Sequence, residues 1–187
     1  MSDLENAFEK LVSVCSKYAL TGHFNAVNEL NNLFPASLPR SEELDYFYIR
    51  YNPEGVVIET GLTPIELHSV NALEKSQAGY GSLPDNYLVI GDDYGGGKPL
   101  IAVVDQKNTP VYASYDVAQP FKIADSLSDF ILSLANLIEL VYGRYNIFEV
   151  FDDNDEIKKE FTEELQRALS PVIGDENFVA FFDYFYG

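Results

Sequence analysis

Asn86 to Asp105, NYLVIGDDYGGGKPLIAVVD, carries two short apolar runs that face each other across an acidic, glycine-rich connection. Tyr87-Leu88-Val89-Ile90 and Leu100-Ile101-Ala102-Val103-Val104 are rich in β-branched residues and nearly unbroken in apolar character, the pattern of strands covered on both faces. The stretch therefore predicts a β-hairpin whose strands lie in the middle of a sheet. Gly95, Gly96 and Gly97 supply the positive φ values that a tight reversal needs, and Asp92 and Asp93 can bond to nearby backbone N–H groups in the turn.

Three sharper readings of that loop compete with plain turn chemistry. Gly-Gly-Gly-Lys resembles the end of a phosphate-binding loop, but such a loop continues with Ser or Thr and a helix, whereas Pro99 and a strand-like run follow Lys98. Asp92 and Asp93 as metal ligands would need further donors nearby, and two adjacent carboxylates are not a coordination set. A carboxylate pair for acid–base work is easy to find in a chain this rich in Asp and Glu, so the pair alone indicates nothing. Turn formation is the reading the local sequence supports.

The chain of 187 residues is long enough for one domain with a substantial core, burying roughly 70% of its unfolded surface. At 47% hydrophobic, with 13 Phe and 13 Tyr, it is a folded chain packed largely by aromatics. Its formal charge of -18 far exceeds the magnitude of about 2 to 8 that solubility requires of a small domain. Direct binding to a nucleic-acid backbone is disfavoured, and a basic partner would be attracted; the bland alternative is a merely solvated acidic surface. The single Cys15 has no disulfide partner and falls in an apolar helical stripe, as a buried small hydrophobe does. No stretch approaches the ~18 to 20 apolar residues of a membrane span, and no basic-then-apolar leader opens the chain, so the expectation is a soluble, cytoplasmic protein.

Outward from the hairpin, Ser2 with Glu5 forms a capping-box pattern ahead of Leu4, Phe8, Leu11, Cys15 and Tyr18 at helical spacing. Gly22 ends that helix, and Phe24, Val27, Leu30 and Phe34 predict a shorter second one closed by Pro35, giving a helical hairpin. A third helix follows Leu38-Pro39, carries Leu44, Phe47, Tyr48 and Tyr51 inward, and stops at an Asn52-Pro53-Glu54-Gly55 turn. Val56 to Thr60 and Ile65 to His68 read as short strands, and Asn71 to Gln77 as a brief helix. Beyond the central hairpin, Val111 to Asp116 and Phe121 to Ala124 extend an antiparallel meander. Ser126 caps a helix with the stripe Phe130, Leu134, Leu137, Ile138 and Val141, ending near Gly143. Tyr145 to Phe151 fits no single type; Ile157, Phe161, Leu165 and Leu169 mark a helix before Pro171, and Phe178 to Tyr186 a final aromatic one.

Catalytic constellations are scarce. His23 and His68 are far apart and outside any H-E-x-x-H frame, which suits structural histidines better than metal ligands. Asp152-Asp153-Asn154-Asp155-Glu156 suggests a calcium loop, but Ile157 stands where the loop glycine belongs; a helix N-terminus accounts better for carboxylates there. No G-x-S-x-G elbow occurs, and the G-x-G-S of Gly79 to Ser82 lacks its closing glycine. The chain is read as non-enzymatic, with no metal and no cofactor.

The order Leu38-Pro39, an aromatic helix ending at Asn52, Ile65-Glu66-Leu67, Leu88-Val89-Ile90-Gly91-Asp92-Asp93 with its glycine run, Leu100-Ile101-Ala102-Val103, and Ser126 to Leu137 resembles the SUKH superfamily. Its members include a yeast regulator of cell-wall synthesis and many bacterial immunity proteins. The likeness spans about residues 36 to 138. This chain departs from the pattern in its longer Leu-Pro to Asn52 interval, in Pro53-Glu54-Gly55 where paired glycines are usual, and in having no Trp.

The resemblance implies a compact α+β fold, with a mainly antiparallel twisted sheet packed by helices, in agreement with the elements read above. It implies an immunity role: binding and neutralising a cognate toxin of a contact-dependent or polymorphic system, for which a basic nuclease is a natural target of an acidic protein. The alternative is an intracellular regulatory module that binds an ordinary host protein. Candidate partner-binding residues combine carboxylates with exposable tyrosines: Asp92, Asp93 and Tyr94 at the hairpin tip, and Tyr115 and Asp116 at the end of another strand. One domain is expected, with a core over residues 36–145 and helical flanks over 1–35 and 146–187. Limited proteolysis checks this, since a flank released early from a resistant remainder would be an independent arm.

Overall fold

The computed structural model describes residues 2–28, 33–115 and 118–187. It is an α+β fold built on a seven-stranded, wholly antiparallel meander in which each strand pairs with its neighbour in sequence. The strands are β1 (Thr21–Asn25), β2 (Asn52–Ile58), β3 (Ile65–Leu67), β4 (Tyr87–Asp93), β5 (Leu100–Val103), β6 (Val111–Ala113) and β7 (Phe121–Ala124). Among the described residues the helices are α1 (Ser2–Lys17), α2 (Glu42–Tyr51), α3 (Leu73–Ala78), α4 (Leu127–Gly143), α5 (Lys159–Ile173) and α6 (Asp175–Tyr186). None is long and apolar enough to cross a membrane.

The predicted hairpin is β4 and β5, with the register Tyr87↔Val103, Leu88↔Ala102 and Val89↔Ile101. Leu88, Val89, Ile90, Leu100, Ile101, Ala102 and Val103 are fully buried, as expected of strands covered on both sides. On one face Leu88, Ile90, Leu100 and Ala102 join the main core with Val56, Ile58, Ile65, Leu67, Val111 and Ala113. Helix α4 lies over that core, capped at Ser126, whose hydroxyl accepts from Asp129 N at 3.0 Å. Helix α1 packs along α4, α5 packs on its other side, and α6 closes against α5 and β7.

On the opposite face, α3 contributes a side chain that continues the sheet. β3 is only three residues long and leaves β4 without a strand partner on that side at Tyr87 and Val89. The Gln77 amide fills that edge, donating from Nε2 to Tyr87 O at 3.0 Å and accepting at Oε1 from Val89 N at 2.9 Å. A side-chain amide thus stands in for a strand's peptide group, because buried backbone groups need partners.

Several local expectations give way to tertiary pairing. The second predicted helix is replaced at its start by β1, where Phe24 lies opposite Pro53; Leu30 falls outside the described residues. Gly22 (φ 82) allows this, since a Cβ there would lie 2.2 Å from Gly55 O. Asn52-Pro53-Glu54-Gly55 is accordingly not a turn but the first half of β2, paired on the β1 side alone, a position that tolerates proline. Strand β6 stops at Ala113 rather than at Asp116, which lies outside the described residues. Helix α5 runs through Pro171 to bury Ile173, and Gly174 (φ 80, ψ 159) stops it in a conformation open only to glycine. Asp152 to Glu156 is no helix N-terminus: the Asp152 carboxylate accepts from Asn154 N (2.8 Å) and Glu156 N (3.1 Å), forming a turn that closes a Phe151↔Ile157 bridge.

The stripe of α1 is as read, with Leu4, Phe8, Leu11 and Cys15 buried. Burial pushes the Cys15 thiol from 9.0 up to about 12. The folded chain therefore keeps a proton that the unfolded chain releases near pH 9, so this contribution is complete below that pH and is lost as pH rises toward 12. Melting temperature should fall from about pH 9 upward, with a shallower fall in Cys15→Ala. A disulfide reagent at pH 8 should label Cys15 only after denaturant is added; rapid labelling of the folded protein would contradict the packing.

Candidate partner-binding site

The chemistry of the hairpin tip is set by one extra residue in β4. Between Val89↔Ile101 and Gly91↔Leu100 the register shifts, so Ile90 and Gly91 together oppose one residue of β5. The bulge reverses the alternation of side chains. Ile90 still points into the main core, but Asp92 emerges on the opposite face, paired with Glu66 of β3. Gly91 is required by close approach, because a Cβ there would sit 2.7 Å from Glu66 O.

Asp92 is consequently buried, at 8% exposure, and its oxygens are occupied. Oδ2 accepts a short hydrogen bond from the Tyr80 hydroxyl, and Oδ1 accepts from Gly97 N (3.2 Å) and Lys98 N (3.0 Å). Gly97 N also donates to the Tyr80 oxygen at 3.1 Å. Asp93, half-buried, adds an acceptor for Lys98 N at 2.8 Å. Gly96 (φ 75) and Gly97 (φ 126) make the reversal; Gly95 does not take the positive φ expected of it. Burial raises the Asp92 carboxyl above its ordinary range, only partly offset by the Tyr80 hydrogen bond, while Asp93 adds to the rise. Asp92 is thus a structural lock and not the exposed contact expected of it.

A shallow groove of about 510 Å³ runs beside this lock, lined by Glu66, His68, Lys75, Tyr80, Asp92 and Gly97. Burial holds the His68 imidazole below its ordinary range, and its buried Nε2 has no partner among the described residues. The Asp92 carboxyl that lines the same groove already accepts three hydrogen bonds. No group of three His, Cys, Asp or Glu among the described residues is placed to hold a metal ion.

The remaining candidates divide by exposure. Tyr94 projects, 64% exposed, from a backbone tied to the β2–β3 loop by Tyr94 N donating to Pro64 O at 2.9 Å. Tyr115 is half-buried: its ring lies 5.3 Å from Phe121 and 6.4 Å from Tyr184, and its hydroxyl donates to Asp183 at 2.8 Å. The Lys98 ammonium sits 5.4 Å from the Tyr115 ring centroid, which brings Tyr115 against the hairpin tip. Asp116 falls outside the described residues.

Sequence reasoning missed what holds this end of the sheet. Helix α6 reaches it with two buried tyrosines: Tyr184 donates to Lys98 O at 2.6 Å and Tyr186 to Thr60 O at 2.7 Å. The aromatic run from Phe178 to Tyr186 signalled packing, but nothing in it showed that its hydroxyls would clasp two loops. Tyr80, between α3 and β4, left no signal beyond its aromatic type. Comparisons with protein-family models, curated proteins and solved structures find no match to this chain.

The lock yields a direct test. Asp92→Ala should lower unfolding free energy by about 2 kcal/mol by orphaning buried donors, and Tyr80→Phe by about 1. Asp92→Asn, a neutral isostere, should retain most of the stability. Because the folded carboxyl is raised above its unfolded value, its contribution is full below about pH 3.8 and falls as pH rises through the folded value; Asp92→Asn should lack that slope. Denaturant titrations between pH 3 and 8 give the comparison, and unchanged stability in Asp92→Ala would remove the lock from the account.

Proposed function

We propose that this protein is a non-enzymatic, cytoplasmic immunity protein of SUKH type, a single domain that binds a basic toxin domain and blocks its active surface. One observation carries the reading. The hairpin turns the Asp92 carboxylate inward to lock the loop, while Tyr94 beside it stands 64% exposed on a backbone tied to Pro64 O. An aromatic side chain held rigidly in a strongly acidic surface loses little entropy on binding and matches a cationic partner in sign. The chain's charge of -18 supports the same reading, since it accelerates encounter with a basic protein and repels nucleic acid. The antiparallel α+β architecture agrees with the family the sequence resembles, and fold by itself assigns no function.

The partner to test is a toxin domain sought among the proteins encoded beside this chain's gene, by stopped-flow binding over a salt series and by inhibition of its activity; neighbours that encode no toxin would count against the immunity role. Tyr94→Ala should cost about 2 kcal/mol, mostly through faster dissociation. Asp93→Lys, compared at equal folded protein, should slow association at low salt and flatten its salt dependence. Association indifferent to salt and to both substitutions would defeat the mechanism, and a toxin left fully active at saturation would defeat the immunity role.

A further inference from the structure

Among the described residues the exposed large hydrophobic side chains are Leu33, Ile49, Leu62, Tyr94, Phe148 and Val179. Leu62, Tyr94 and Phe148 stand on three loops, of which the middle one, between β2 and β3, touches the other two. The hairpin tip meets the β2–β3 loop through Tyr94 N and Pro64 O at 2.9 Å. That loop meets the segment after α4 so closely that a Cβ on Gly61 (φ 92) would fall 2.6 Å from Val150 Cγ2 and 2.7 Å from Ile147 O. Asn146 (φ 50) and Ile147 (φ 66) are held in the left-handed region, which is costly for a β-branched residue. The conformation is fixed by Ile147 N donating to Val141 O at 3.0 Å and Glu149 N to Tyr145 O at 2.8 Å. Its result is a Phe148 side chain left 72% exposed.

Charge says what such a surface can receive. The same loops carry Asp93, Glu149, Asp153, Asp155 and Glu156, and their cations are engaged: Lys98 lies over Tyr115, Arg144 pairs with Glu164 at 2.7 Å, and Lys158 donates to Glu149 O at 2.7 Å. Apolar side chains rimmed by carboxylates repel an anionic membrane or a nucleic-acid backbone and suit a cationic protein surface with an apolar cleft.

We infer that Leu62, Tyr94 and Phe148, on the three adjoining loops at this end of the sheet, form the docking surface for a basic, amphipathic protein partner. The inference rests on the partner-binding reading above and places the contact on the β2–β3 loop and the segment after α4 as well as on the hairpin. The hairpin tip and the β2–β3 loop are held from beneath by the Tyr184 and Tyr186 hydroxyls, and the segment after α4 by its own backbone bonds, so the surface is preorganised.

The probe is a synthetic amphipathic peptide of lysine and leucine, titrated into the isotopically labelled full chain and followed by amide NMR. Amides of residues 61–63, 93–97 and 147–156 should move first. A lysine-only peptide of equal charge should bind about tenfold more weakly, as should the lysine–leucine peptide to a Tyr94→Ser, Phe148→Ser variant. Ile49→Ser and Val179→Ser, exposed elsewhere, should change nothing. Because Tyr94 and Phe148 are mainly exposed, the double variant should keep the parent's amide spectrum away from the loops. The inference is overturned by shifts centred elsewhere or spread over the whole acidic surface, by equal binding of the two peptides, by no binding, or by an unaffected double variant. A peptide that maps to the loops while no toxin domain encoded nearby is bound or inhibited would sustain the surface and sink the immunity role. A toxin domain that is inhibited without moving these amides would do the reverse.

Discussion

One inserted residue in β4 governs the side of the sheet on which the hairpin's chemistry appears. Strand side chains alternate strictly, so the bulge at Ile90 and Gly91 exchanges the faces of everything beyond it. Without the exchange, Asp92 would point into the apolar layer formed by Leu88 and Ile90 beneath α4. With it, the carboxylate reaches the Tyr80 hydroxyl and two backbone donors of the glycine turn. The burial of a carboxylate is thereby made tolerable, since each of its oxygens has a donor.

The same end of the sheet shows how polar groups inside an aromatic core set loop positions. Helix α6 is apolar enough to be explained by packing alone, with Phe178, Phe181 and Phe185 buried. Its tyrosines do more, because a buried hydroxyl is costly to leave unpaired and two of them find loop carbonyls. Tyr184 and Tyr186 thus couple the C-terminal helix to the hairpin tip and the β2–β3 loop. The helical flank outside the likeness to the SUKH pattern is part of what shapes this surface. Elsewhere the side-chain amides of Gln77 and Asn52 satisfy backbone groups that the short β3 and its following loop leave open, with Val70 N donating to Asn52 Oδ1 at 2.8 Å.

Acidity and exposure acquire meaning only in combination. A charge of -18 spread over a surface attracts any basic protein weakly, and exposed Phe or Tyr scattered singly carries no message. Tyr94, Phe148 and Leu62 on adjoining, internally braced loops differ because their backbones are ordered before any partner arrives. Specificity would then come from apolar contact at the centre, with the surrounding carboxylates governing the rate of encounter.

The amino-acid sequence by itself determined the central hairpin, the α1 stripe and α4 with its Ser126 cap. Each is written in consecutive residues, as an unbroken apolar run, a helical period or a capping hydroxyl followed by its helix. It also determined the α+β class and the strongly acidic charge of the chain itself. Only the tertiary structure decided that Thr21 to Asn25 is a strand and that Asn52 to Gly55 extends β2, because edge pairing depends on a distant segment offering free backbone groups. It alone buried Asp92 and exposed Phe148. The bulge that moves the first, and the left-handed backbone that turns out the second, are sustained by contacts with Glu66 and Gly61, residues remote in the chain whose positions no local pattern specifies.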